Sequence, residues 1–214
     1  MTLVFDTETS TFPSPKLAAS HPNQARIVQI AWVLLDEQFQ ERACFNSLIR
    51  IPSSVKIHEG AKNAHGISEE DCRKYGLCAE DVLMPFFSYY TTCTIVAHNV
   101  RFDNQLIAIE HELLFGKPIT RFDVEGKQIE FCTMEAMTPI CKLPFAATGK
   151  KSFGKQYKWP TLQEAHQHAF GERFEGAHDA LADVRATARI YKWLKESKKE
   201  SILTESAICQ TQTI

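Results

Sequence analysis

The chain has 214 residues, of which 44% are hydrophobic and 23% charged, and its net charge is −2 at neutral pH. That length predicts one α/β domain with a sizeable core, and the composition is that of an ordinary globular protein. Without a positive excess the chain does not grip a long duplex by charge alone, although a local patch and bound cations can still hold a few nucleotides. The seven cysteines are odd in number and form no Cys-x-x-Cys pair, which excludes a disulfide framework or zinc ribbon and predicts reduced thiols. No apolar run approaches the ~20 residues of a membrane span. The first residues carry no basic stretch or cleavage signature, so the expected compartment is the cytoplasm, away from any membrane.

Leu3, Val4 and Phe5 begin a short strand that ends in Asp-Thr-Glu-Thr-Ser. Residues 10–25 hold Pro13, Pro15 and Pro22 among small polar residues and predict a loop. Arg26 to Leu35 is rich in β-branched and aromatic residues, a second strand, and Arg42 to Ile51 is a third, paired with it as a hairpin. Ser68 precedes Glu-Glu-Asp, a helix start. Asp81 to Tyr90 predicts a helix interrupted near Pro85, and Thr94 to His98 a fourth strand.

From Arg101 onward Phe102, Leu106, Ile109 and Leu113 fall on one helical face, ended by Gly116 and Pro118. Gln128 to Cys132 is a short fifth strand. Thr161-Leu-Gln-Glu164 is a capping box that starts a helix reaching about Gly171. A last helix is expected from about Asp179 to Lys195, with Leu181, Val184, Ala188, Tyr191 and Leu194 facing inward. The expected domain is therefore residues 1–197, followed by a flexible polar tail over 198–214. The fold class is α/β: a five-stranded mixed sheet with helices on both faces.

Asp6 and Glu8 stand two apart in a strand, so their side chains share a face. Adjacent acids repel, and either a cation sits between them or a pKa rises. Oxygen ligands with room for water suit Mg²⁺ or Mn²⁺. Asp103 falls in the first turn of the helix after the fourth strand, where the helix dipole favours its charge. Asp183 lies one turn into the last helix beside core positions, where an acid needs a partner. His178 follows Gly176 and, with an ordinary pKa near 7, suits a general base. Singly, each has a plain alternative: a solvated turn, a first-turn acid, a salt bridge, an exposed histidine. Jointly they offer what a two-metal phosphodiesterase needs, several carboxylates from separate elements and a base. Residues 136–163 contain no acid but carry Lys142, Lys150, Lys151, Lys155 and Lys158 among Phe145, Phe153, Tyr157 and Trp159, a composition that suits single-stranded nucleic acid or, equally, an anchored solvated loop.

Phe5-Asp-Thr-Glu-Thr, Ala97-His-Asn-Val-Arg-Phe-Asp103 and His178-Asp-Ala-Leu-Ala-Asp183 resemble the three motifs of the DEDDh exonucleases, and Ala64-His-Gly-Ile67 resembles a secondary signature of that family. The resemblance spans about residues 3 to 195. It implies a ribonuclease H-like fold and 3′-to-5′ hydrolysis that releases nucleoside 5′-monophosphates. It implies two Mg²⁺ or Mn²⁺ ions held by Asp6, Glu8, Asp103 and Asp183, with His178 as general base. The histidine five before the last aspartate assigns the chain to the histidine branch; the tyrosine branch has Tyr where this chain has Asp179.

The resemblance further implies nucleic-acid contacts at Thr7, Thr9, Phe12, His65, Asn99 and Phe102. Ser10, Thr11 and Phe12 stand where many relatives have Gly, and Phe12 is either an aromatic wedge against the last base or a loop residue in the core. Phe102 is claimed both by the core stripe and by the terminal bases. The expected partner is single-stranded or 3′-end nucleic acid; a DNA polymerase and a second copy of the chain are further partners that relatives use. The competing reading is a nucleic-acid-binding module on the same fold that has lost its chemistry. The retention of all four acids and His178 weighs against it.

Overall fold

A computed structural model describes residues 1–119, 130–145, 156–177 and 179–211, with side chains described as far as residue 197. Strands β1 (Thr2–Thr9), β2 (Ile27–Leu35), β3 (Glu41–Leu48), β4 (Thr94–Ala97) and β5 (Glu130–Cys132) form one sheet in the order β3-β2-β1-β4-β5. β1 pairs antiparallel with β2 and parallel with β4, so the meander half and the parallel half of the sheet meet at β1. β1 is buried on both faces: Leu3 and Phe5 point to one layer, Val4 to the other.

The first layer holds α3 (Ala79–Tyr90) and α4 (Val100–Phe115), whose Val82, Phe86, Tyr90, Leu106 and Ile107 pack on Leu3, Phe5, Trp32 and Leu34. The second holds α5 (Thr133–Cys141), α6 (Leu162–Phe170) and α7 (Ala180–Thr211), whose Met137, Ala165, Val184, Ile190 and Tyr191 pack on Val4, Val33 and Val96. The short helices α1 (Glu59–His65) and α2 (Glu69–Tyr75) flank the end of β1 over a small cluster of Val28, Ile51, Val55, Ile57 and Cys72. The expected sheet and its two-sided cover are therefore present. Cys44, Cys72, Cys78, Cys93, Cys132 and Cys141 are free thiols. No helix among the described residues is long and apolar enough to cross a membrane.

Several local expectations need correction. α3 runs unbroken through Pro85, because Val82, Leu83, Phe86 and Phe87 bury one continuous face that outweighs the lost backbone hydrogen bond. α1 and α5 are helices that periodicity did not reveal; at seven and nine residues they are too short to declare a period. The start of the fifth strand at Gln128 lies outside the described residues. α7 does not stop at Lys195 but continues to Thr211.

The buried stripe of α4 is Val100, Asp103, Leu106, Ile107 and Glu110, whereas Phe102, Ile109 and Leu113 are only half-buried. Two acids thus replace two of the expected apolar contacts. Glu110, 1% exposed, takes both arms of the Arg26 guanidinium at 2.8 and 2.9 Å and also accepts the Ile27 N–H at 2.9 Å. It fastens α4 to the start of β2. Glu110→Ala should destabilise the protein by about 3–5 kcal/mol, because Arg26 is left half-buried without its counter-charge. Urea unfolding reads this as a lower midpoint at unchanged slope; an unchanged midpoint would show the pair to be idle.

Candidate active site

The site lies where β1 leaves its pairing with β4. The parallel ladder ends at Val4 and Val96, so Asp6 and Glu8 continue beyond it. On the other side β1 stays paired with β2, with Asp6 opposite Ala31 and Glu8 opposite Gln29. The register then slips between Glu8 and Thr9, because Val28 is an extra residue on β2. A bulge at this point bends the strand end and re-aims what it carries. Val28 itself turns into the small cluster under α2.

Asp6 and Glu8 share the face of β1 that α7 covers, and Asp183 enters from the first turn of α7. Each of the three offers an oxygen within 4.8 Å of the others. They are half-buried. Burial, then the charges of Asp103, Glu8 and Asp183, raise the Asp6 carboxyl well above the ordinary value. Burial, then Asp183 and Asp103, lift Glu8 from 4.5 to about 7. Such a cluster crowds negative charge, and its all-oxygen donor set fits a hard divalent cation.

Asp103 stands apart from the trio. It is 3% exposed, on the first turn of α4, and approaches from the opposite layer. Burial raises its carboxyl to about 7, against the opposing hydrogen bond that Thr7 Oγ1 donates at 2.7 Å. The Thr7 hydroxyl is therefore occupied in holding Asp103. Asn99, at the turn from β4 into α4, is left-handed (φ 89°, ψ 49°), and its side chain makes no capping hydrogen bond. A non-glycine residue held there is a local constraint that Asn tolerates better than most. Its neighbour His98 is locked: Nδ1 meets Thr133 Oγ1 at 2.9 Å and Nε2 meets the Pro160 carbonyl at 3.1 Å, while burial lowers its pKa to about 4. His178 lies outside the described residues, as do Lys150, Lys151, Phe153 and Lys155.

Beside Glu8 opens a cleft of about 380 Å³, lined by Thr7, Thr9, Phe12, His65 and Phe102 together with Thr11 and the first turns of α1. Five of the six residues expected to touch nucleic acid therefore share one wall system; Asn99 is not among the lining residues. Phe12 is 82% exposed, which rules out the core alternative, and its ring meets Phe102 edge-on at 5.9 Å. The half-buried Phe102 serves both cleft and core edge. His65 is fixed by an Ile67 N–H donated to Nδ1 at 3.0 Å, so Nε2 carries the proton and donates to the Thr9 carbonyl at 3.2 Å. Among the described residues, no Lys or Arg lines the cleft. Lys158 of the basic stretch is bound to Glu164 through both carboxylate oxygens at 2.6 Å, which makes it a loop anchor, whereas Trp159 is 49% exposed. Sequence reading missed the α1 wall of His58, Gly60, Ala61 and Ala64; the nearby Ala-His-Gly-Ile signature was its only pointer.

A mixed five-stranded sheet with carboxylates converging at the end of its central strand defines the ribonuclease H-like class of hydrolytic nucleases. The chain belongs to the RNase T exonuclease family, whose model, described as "Exonuclease", matches residues 3–191. Its motifs are those of the DEDDh type. No curated protein sequence matches the chain. Among solved structures, exonuclease I of E. coli in complex with a dT13 oligonucleotide superposes with a TM-score of 0.69 at 20% identity, covering 94% of this chain and 42% of that one. The zinc-bound form of the E. coli exonuclease I–single-stranded DNA complex gives 0.69 at 20% identity, over 92% and 41%. Exonuclease I of Methylocaldum szegediense gives 0.66 at 20% identity, over 91% and 40%. The chain thus spans about two fifths of these proteins, and the likeness is one of fold.

The raised carboxyls set a pH dependence. Glu8 ionises near 4.5 in the unfolded chain and near 7 in the folded one, so the folded state holds more protons between those values and loses stability as pH rises through them. The full loss is roughly 3 kcal/mol at ~1.4 kcal/mol per pH unit. His98 acts with the opposite sign, since its lowered pKa costs stability as pH falls from 6.5 towards 4. The difference between the parent and Glu8→Gln is therefore diagnostic. In EDTA the variant should gain in Tm over the parent as pH climbs from 5 to 8, and saturating Mg²⁺ should narrow the gap by stabilising the parent. Parallel Tm curves at all pH values would contradict the crowding of charge.

Proposed function

We propose that the chain is a metal-dependent 3′-to-5′ exonuclease acting on single-stranded ends. The observation that carries this reading is the Asp6–Glu8–Asp183 cluster, with oxygens within 4.8 Å, whose Glu8 also lines an apolar cleft without Lys or Arg among its described residues. A polyanionic substrate meets carboxylates there, which divalent cations would bridge. Asp6, Glu8 and Asp183 would hold one ion, and Asp6, supported by Asp103, a second. Two such ions supply charge stabilisation for the attacking and leaving oxygens of an in-line displacement at phosphorus.

The protein's own groups do the rest. Thr7 fixes Asp103 by its hydroxyl. His98 ties β4 to the loop before α6, which steadies the turn that carries Asn99. The cleft excludes water from one side of the terminal nucleoside, with Phe12 and Phe102 as stacking faces. His178, directly before Asp179 and α7, is assigned the proton of the attacking water on the strength of its motif. Exonuclease I of the same fold has been seen in complex with single-stranded DNA and a dT13 oligonucleotide, which supports a single-stranded substrate here.

The first test is a single strand labelled at its 3′ end, with Mg²⁺ or Mn²⁺ added. The label should appear at once as a mononucleotide, while the same strand labelled at its 5′ end shortens stepwise. Loss of the 5′ label first reverses the polarity, and binding without cleavage favours the silent module. Asp183→Asn should remove almost all activity while Tm holds or rises, since one of three crowded charges is gone. His178→Ala should lower kcat by about 10²- to 10⁴-fold. Full activity of that variant from pH 6 to 9 removes the base assignment.

A further inference from the structure

We infer that His58 holds the base of the 3′-terminal nucleotide, donating its Nε2–H to an acceptor on the base edge. The inference rests on the exonuclease reading and adds a residue that neither the motifs nor the metal cluster names. His58 directly precedes α1 and lines the cleft with Phe12, Phe102 and Thr11. Its backbone N–H donates to the Ser10 carbonyl at 2.7 Å, which pins it to the chain leaving β1. That same segment carries Phe12, so the imidazole and the exposed aromatic are positioned together.

The protonation of the ring follows from its contacts. Nδ1 accepts the Gly60 N–H at 3.1 Å, so in the neutral ring the proton sits on Nε2. Nε2 has no protein acceptor among the described residues. The other donors of the cleft are largely spent: Thr7 on Asp103, Thr9 on the Thr11 carbonyl at 2.8 Å, His65 Nε2 on the Thr9 carbonyl. Among the described side chains of the cleft, His58 and the Thr11 hydroxyl are the donors left to a ligand that needs a hydrogen bond. Gly60, Ala61 and Ala64 leave the adjoining wall flat, and a side chain at Gly60 would come within 3.3 Å of the imidazole Nδ1.

Among its described residues the cleft is charged at its Glu8 end, which suits the phosphate and its cations, and apolar towards Phe12, which suits the base. Pyrimidine O2 and purine N3 occupy equivalent places on the sugar-side edge of the base, so a single N–H donor serves every base. His58 on this account adds affinity for a base without choosing among bases.

The experiment compares single strands ending in an ordinary 3′ nucleotide with strands ending in a 3′ abasic tetrahydrofuran residue. The parent, His58→Phe and His58→Asn are each assayed for kcat and KM. His58→Phe keeps a ring and loses the donor; it should raise KM for ordinary ends by about 3- to 10-fold, with kcat changed much less. On abasic ends it should match the parent. His58→Asn keeps both an acceptor for the Gly60 N–H and an outward N–H, and should recover most of the loss. Equal losses on both kinds of end, or no loss on either, overturn the assignment. Thermal melting separates a folding defect, which would depress both ends alike and is likewise a negative result. A parent inactive on every strand defeats the exonuclease reading instead, so the two failures are distinguishable.

Discussion

Three carboxylates brought within 4.8 Å of one another repel, and the remainder of the molecule keeps them there. The force that opposes the repulsion is apolar burial. Leu3, Val4 and Phe5, the residues just before Asp6, are fully buried between two helical layers. Ala180 and Val184, on either side of Asp183, are fully buried against the same sheet. The acids cannot separate without opening that packing, so the crowding of negative charge is built into the fold. Whatever cation enters relieves a strain the fold has already imposed, which is the sense in which the site is preorganised.

The two layers contribute differently. The α7 layer delivers Asp183 to the face that carries Asp6 and Glu8. The α4 layer delivers Asp103 from across the sheet, and Thr7, pointing the other way from Asp6 and Glu8, is the link that receives it. Glu110, two turns further along α4, is held by Arg26 and the Ile27 N–H and fixes the helix against β2. The geometry of the four acids therefore depends on the seating of two helices on opposite faces of one strand. The bulge at Val28, opposite Glu8, adds a bend where that strand leaves the sheet.

Polarity divides the adjoining cleft. Its inner end is acidic and its outer end apolar, and among the described residues no Lys or Arg lines it. A chain with net charge −2 has no overall attraction for a polyanion, so a local positive patch, bound cations or contact with uncharged parts of a ligand must supply it.

Much of this was legible in the sequence. The five strands in their succession along the chain, the acids at the end of the first strand, the helix start at Ser68 and the capping box at Thr161 follow from local rules, since alternation, caps and spacing act over a few residues. What exceeded those rules was decided by contacts distant in the chain. Pro85 stays within a helix because Phe86 and Tyr90 have Phe5 to pack against. Asp103 and Glu110 occupy a buried stripe because Thr7 and Arg26 reach them from other elements. α1, too short to show a period, forms a cleft wall because its ends are tied to the carbonyls of Ser10 and Thr9. The sequence by itself determined which side chains carry the charge and which elements bear them; only the tertiary structure decided which of them meet, because an ion cluster or a cleft is made of separations that no local periodicity encodes.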